Sequence, residues 1–270
     1  MSNRINGLAH IEAAFAAAKK QDRAALMPYF TLGYPDPATS VAIVKAIAGA
    51  GADLIELGVP FSDPLADGPT IQHSTQVALA HGVSAAYCLG MVSRLRADGV
   101  TQPLMLMGYI NPILAYGAAR FVADAAQFGA DGFILPDLPP EEAGDIEAAC
   151  QAHNRALVYL LAPTSPQERV ELLANRSTGF LYLVSLVGVT GARESVSSQL
   201  GDFVRRVRAV AHTPLAVGFG ISTPEQARAV GQLADGVIVG SALIRAAKEA
   251  DDPPQAAAAF VHSLRKGLAR

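Results

Sequence analysis

Short runs rich in leucine and β-branched residues recur along this chain at nearly regular intervals, and that rhythm narrows the possible folds more than any other feature. The runs fall at residues 26–31 (LMPYFT), 54–57 (LIEL), 104–107 (LMLM), 132–135 (GFIL), 157–160 (LVYL), 181–184 (LYLV), 215–217 (LAV) and 236–239 (GVIV). About one helix's worth of alanine-rich sequence separates most of them. About eight strand–helix repeats are the count and rhythm of a (β/α)8 TIM barrel, an α/β fold. No linker divides the chain, so residues 1–270 are read as one barrel domain. An opening amphipathic helix, residues 8–20, carries Leu8, Ile11, Phe15 and Ala18 on one side and is expected to cap the barrel floor. The gap between the second and third runs is longer and holds the loop PFSDPLADGP.

A 270-residue barrel buries roughly 73% of its unfolded surface. A composition of 51% hydrophobic and 17% charged residues supplies the apolar side chains for that core and excludes disorder as the main state. Helix starts are expected at Asp36-Pro37, Ser84, Pro140, Ser165-Pro166 and Thr223-Pro224. Gly51 and Gly129 are expected to close helices in the left-handed conformation. The net charge of −3 is not gathered into blocks, which argues against a nucleic-acid partner. The two cysteines, Cys88 and Cys150, lie in helix-like sequence without metal-ligand spacing and read as buried thiols of a reducing compartment. The N-terminus lacks a signal-peptide core and no apolar run is long enough to span a membrane, so a cytoplasmic, membrane-free protein is expected.

Barrel chemistry sits at the C-terminal ends of strands and in the loops that follow them. Lys19, Lys20, Lys45, Lys248 and Lys266 all fall in helical or terminal sequence, which excludes a lysine Schiff base. The six histidines show no paired ligand spacing, so no metal is expected. Carboxylates remain. Strand alternation sets Glu56 on the face opposite Ile55 and Leu57; if those two meet the helices, Glu56 faces the barrel mouth, where lost solvation raises its pKa toward a range useful for proton transfer. A Glu56 paired to an arginine is the bland alternative. Asp63 and Asp67 follow in the next loop, where aspartate also serves turns. The segment after the sixth run, from Ser185 to Ser195, suits a lid or an ordinary surface loop. Gly218-Phe219-Gly220 and Gly240-Ser241 close the last two strands, the place where barrels bind phosphate on backbone amides, so the substrate is expected to be a phosphate ester. Tyr29, Leu106, Ile134, Tyr182 and Phe219 are candidate walls of an apolar pocket.

The string ELGVPFSDPLADGP from Glu56 to Pro69, with Gly188-Val189-Thr190-Gly191, Gly218 to Ser222 and Gly240-Ser241, closely resembles the tryptophan synthase α-subunit family, and the resemblance extends from the opening helix to the last. It implies retro-aldol cleavage of indole-3-glycerol phosphate to indole and glyceraldehyde 3-phosphate. It implies Glu56 as the general acid/base and Asp67 as the acceptor of the indole N–H. Thr190 is implied in a closing lid, Tyr182 near the catalytic carboxylate, Phe219 at the indole wall, and Tyr29, Leu106 and Ile134 at pocket positions. Gly191, Gly220, Gly240 and Ser241 are implied at the phosphate. The family also implies a β-subunit partner carrying pyridoxal phosphate in an αββα heterotetramer, with indole passed through an internal channel. Contacts would lie at residues 60–67 and 109–111, and this chain itself would hold no cofactor. The lid reads Leu186-Val187 where some members have a basic residue, so lid dynamics need not be copied. A free-standing lyase, a non-catalytic phosphate-binding regulatory subunit and another phosphate-binding barrel are the alternatives; Glu56 with Asp67 opposes the second and the ELGVPFSDPLADGP string the third.

Overall fold

In the computed structural model, residues 6–184, 193–218 and 220–268 are described, with backbone alone for 193–198. Their strands are β1 (Ala25–Thr31), β2 (Ile55–Gly58), β3 (Leu104–Met107), β4 (Gly132–Ile134), β5 (Ala156–Val158), β6 (Leu160–Leu161), β7 (Leu181–Val184), β8 (Leu215–Gly218) and β9 (Gly236–Val239). All described pairings are parallel, in the order β5-β4-β3-β2-β1-β9-β8-β7-β6. The two ends of that order, β5 and β6, are separated in sequence only by Tyr159, whose carbonyl accepts the Tyr182 amide at 3.0 Å. The fifth run is thus one stave that pairs left through its first half and right through its second, and the sheet closes into a barrel. The count rises from eight runs to nine strands for that reason alone.

Helices α1 (Gly7–Lys20), α2 (Pro37–Gly49), α3 (Pro69–Ala80), α4 (Ala85–Ala97), α5 (Ile110–Tyr116) and α6 (Ala118–Phe128) surround the first half of the barrel. The second half carries α7 (Gly144–Ala152), α8 (Gln167–Arg176), α9 (Arg193–Arg208), α10 (Pro224–Gly231), α11 (Ser241–Lys248) and α12 (Pro253–Leu268). With helices outside, each strand is covered on both faces, which is why the strands read as unbroken apolar runs. Asp36 caps α2 by accepting the Ala38 and Thr39 amides, Ser84 caps α4, and Thr223 forms a reciprocal capping box with Gln226 at α10. Two starts differ from expectation. Pro140 opens a 3-10 turn, Pro140–Glu142, and α7 begins at Gly144; Ser165 turns its hydroxyl to the Ala162 amide instead of capping α8.

Helix α1 is buried at Ile11, Phe15 and Ala18, while Leu8 is partly covered. A side chain at Gly179 or Gly236, next to the N-terminal ends of β7 and β9, would reach within 3.4 Å of Ile11 or 3.1 Å of Phe15. At that same end, three aspartates clasp neighbouring strands. Asp53, Asp131 and Asp235 each donate a backbone N–H to Leu26, Leu104 or Leu215, and each carboxylate accepts the amide of that same leucine at 2.8 Å. Arginines complete the clasps: Arg23 on Asp53, Arg96 on Asp131 and Arg208 on Asp235. Asp131 is 1% exposed and also holds His10 Nδ1 at 2.9 Å. Asp131→Ala leaves a mostly buried guanidinium and a strand amide unpaired, so chemical denaturation should show a loss of about 3–5 kcal/mol; a loss below about 1 kcal/mol contradicts the clasp.

Candidate active site

Register decides which side chains meet inside the barrel. Tyr29, Glu56 and Met105 pair across β1, β2 and β3 and face inward; one step nearer the mouth come Gly58, Met107 and Ile134. From the opposite wall, Tyr182 on β7 pairs with Ala216. A Cβ on Gly58 would lie 2.1 Å from the Tyr29 hydroxyl, and one on Gly218 would lie 2.3 Å from the Tyr182 hydroxyl. Both phenols therefore pass over positions that only glycine leaves open, and both feel the charges of Glu56 and Asp67. Ile134 is buried on the inner face. Leu106 is not part of this wall. It lies in register with Phe30, Leu57 and Phe133 on the outer face, where Phe133 packs 5.9 Å from Phe121 of α6. The inward position on β3 belongs to Met107, one residue along, because alternation reverses with every step.

Glu56 is completely buried. Neither carboxyl oxygen has a hydrogen-bond partner among the described residues, and no described arginine pairs with it. Burial pushes its pKa from 4.5 up to about 8, so the neutral acid is the resting form at neutral pH. Asp67 stands at the end of the loop after β2, one residue before the N-cap of α3. Its carboxylate accepts the Tyr109 hydroxyl at 3.0 Å, and the same phenolic oxygen accepts the Ala66 amide at 3.0 Å. Phe61 packs on the Tyr109 ring at 5.4 Å. Burial raises the Asp67 pKa while the Tyr109 hydrogen bond opposes the rise. Asp63, by contrast, is exposed and bonded to its neighbour Ser62, a local turn contact. Tyr109 is the site residue that sequence reasoning left out as a functional group; its signal was its place two residues beyond the end of β3. From the loop after β4, the Asp137 carboxylate accepts the Ile110 amide at the start of α5.

Gly220 has a φ of +80°, and Gly240 leads into α11, whose first turn has no side-chain cap. The unpaired amides at such a helix start suit an anion. A Cβ on Gly240 would come within 3.3 Å of the Tyr29 ring, so the ring joins this turn to the carboxyl groups. Ser241 begins α11 and is partly exposed. Thr190, Gly191 and Phe219 lie outside the described residues. Among the described residues no group of three or more His, Cys, Asp or Glu side chains is placed to hold a metal ion.

A family profile described as "Tryptophan synthase alpha chain" matches residues 15–269. The tryptophan synthase alpha chain of Chloroflexus aurantiacus is 46% identical over 265 residues, covering 97% of this chain and all of the relative. That of Geobacter sp. is 51% identical over 238 residues, covering 88% of this chain and 89% of the relative. Among solved structures, the tryptophan synthase subunit alpha from Legionella pneumophila superposes with a TM-score of 0.89 at 40% identity, covering 96% of this chain and 98% of that one. A chain of tryptophan synthase from M. tuberculosis, in its aminoacrylate-bound form, gives 0.87 at 37% identity, with 96% and 99% covered.

Burial of Glu56 has a stability signature independent of turnover. Its folded pKa of about 8 lies above the ordinary 4.5, so between those values the folded state holds a proton that the unfolded state has released. Stability is therefore lost as pH rises through that window and levels off above it. Glu56→Gln should be the more stable protein, with a gap that grows from pH 4.5 to 8 and reaches at most about 5 kcal/mol. Thermal melts across that range test it, and a gap that does not change with pH contradicts the buried-acid assignment.

Proposed function

The chain belongs to the tryptophan synthase alpha chain family and is a lyase that cleaves indole-3-glycerol phosphate to indole and glyceraldehyde 3-phosphate; we propose that Glu56 and Asp67 carry that reaction. The observation that carries the assignment is the completely buried, unbridged Glu56 carboxyl on the inner face of the barrel. Neutral at rest, Glu56 gives its proton to the indole ring carbon that bears the glycerol chain. The ring becomes an iminium-type cation and thus an electron sink. The Asp67 carboxylate, accepting the indole N–H, stabilises that cation as it forms. The Glu56 carboxylate then takes the proton of the adjacent glycerol hydroxyl. The carbon–carbon bond breaks, its electrons return to the ring, an aldehyde forms, and Glu56 ends protonated as it began.

The other site residues have supporting roles in this reading. Tyr109 orients Asp67 through the hydroxyl it donates. Tyr182 borders Glu56, while Ile134, Met107 and Phe219 wall the indole. Gly191, Gly220, Gly240 and Ser241 hold the phosphate, and Thr190 closes over Asp67. The partner is a β subunit that carries pyridoxal phosphate in an αββα assembly, docked on residues 60–67 and 109–111. Leu65, 93% exposed at the tip of the first of these loops, supports that placement. No helix among the described residues is long and apolar enough to cross a membrane, in keeping with a cytoplasmic biosynthetic enzyme.

Glu56→Gln should lower kcat by at least about 10²-fold, and retained turnover sinks the assignment. Because the acid form begins the cycle, kcat/KM for the parent chain should fall as pH rises through about 8; a profile that climbs there shows that the carboxylate starts the reaction. Gly220→Val should raise KM for indole-3-glycerol phosphate far more than it lowers kcat, and an unchanged KM removes Gly220 from the phosphate site. Indole release should rise strongly when a tryptophan synthase β subunit is added; release that ignores it argues against the docking loops.

A further inference from the structure

Three buried hydroxyls run from the pocket to helix α3. The Tyr29 hydroxyl lies 3.3 Å from Thr31 Oγ1, which lies 2.7 Å from Ser74 Oγ. Ser74 in turn donates to the Ile71 carbonyl at 2.8 Å. Each hydroxyl owns one proton, and the carbonyl at the end of the chain can only accept. With the Ser74 proton on that carbonyl, Thr31 must donate to Ser74 and Tyr29 must donate to Thr31. With the Ser74 proton so placed, the chain runs in one direction, away from the pocket. Thr31 and Ser74 are fully buried, so water does not compete for these bonds.

The Tyr29 oxygen therefore has its proton committed to the protein interior. What it offers to the pocket is a lone pair. Its position is equally specific. The ring borders Gly240 at the phosphate turn, the hydroxyl lies over Gly58 beside Glu56, and the residue lines one small cavity together with Asp67, Thr75 and Met107. A substrate with its phosphate at Gly240 and its indole at Asp67 must lay its glycerol linker along this ring.

We propose that Tyr29 is a substrate-recognition residue whose phenolic oxygen, held as an acceptor by the Thr31–Ser74 chain, takes a hydrogen bond from the glycerol hydroxyl that neighbours the phosphate-bearing carbon. That hydroxyl keeps its proton during cleavage, so the interaction does not interfere with the proton removed by Glu56. Thr31 and Ser74 act through Tyr29 and are positioning residues. The inference rests on the Glu56, Asp67 and phosphate-turn reading above.

Tyr29→Phe removes only the oxygen. It should lower kcat/KM for indole-3-glycerol phosphate about tenfold, the effect of one hydrogen bond. It should leave unchanged the affinity for the analogue in which a plain propyl chain replaces the glycerol, because that ligand has no hydroxyl to recognise. This chain contains no tryptophan, so the ligand's own indole fluorescence reports binding directly. Thr31→Val keeps the phenol but removes the acceptor that directs it; the freed O–H turns toward the carboxyl groups and favours their charged forms. The alkaline fall of kcat/KM should then move to lower pH, with a severalfold loss at neutral pH, and Thr31→Ser should restore both. An unchanged kcat/KM in Tyr29→Phe overturns the proposal, as does equal weakening of substrate and propyl analogue, which would mean lost packing. An unmoved pH profile in Thr31→Val overturns the role of the chain. Failure of the underlying reading is separate, since it appears as retained turnover in Glu56→Gln with Tyr29 intact.

Discussion

Closing the parallel sheet on itself is the constraint on which everything else depends. Once β5 and β6 join as a single stave at Tyr159, each strand has an inside and an outside, and alternation assigns every side chain to one or the other. The outer set, represented by Phe30, Leu57, Leu106 and Phe133, packs on helices. The inner set must fill a narrow space. At the floor the Asp53, Asp131 and Asp235 clasps tie neighbouring strands together. Nearer the mouth, glycines at positions 58 and 218 leave room for the two phenols.

The floor and the mouth of the barrel handle polar groups in opposite ways. At the floor, Asp131 is buried but saturated by Arg96, His10 and a strand amide, which makes it a structural charge. In the barrel interior Glu56 is buried with none of these partners among the described residues, and the same burial that would be a defect at the floor makes it a neutral acid. Asp67 lies between these cases. One phenolic donor offsets part of its desolvation, so burial raises both carboxyl groups of this stave but is opposed by a hydrogen bond only at Asp67.

Much of this was legible in the chain. The run spacing announced the barrel, alternation within LIEL set Glu56 on the inner face, and the glycine turns after the last two strands stand where the sequence put them. The specific string around Asp67 carried the family. Leu106 shows the limit: apolar residues on both faces of a parallel strand look alike, so the phase of β3 was invisible until register with Gly58 and Ile134 set it. Tyr109 shows another, since its partner Asp67 is 42 residues away.

The sequence by itself determined the repeat, the candidate acid, the loop aspartate and the glycine turns after the last two strands, because each depends on local periodicity or on residues adjacent in the chain. Only the tertiary structure decided that Glu56 lacks a partner among the described residues, that Tyr109 holds Asp67, that three aspartates clasp the floor, and that the Tyr29, Thr31 and Ser74 hydroxyls come within hydrogen-bond reach of one another. Those facts join residues from different strands and helices. Desolvation and hydrogen-bond direction depend on everything packed around a group, and that environment does not exist until the sheet has closed.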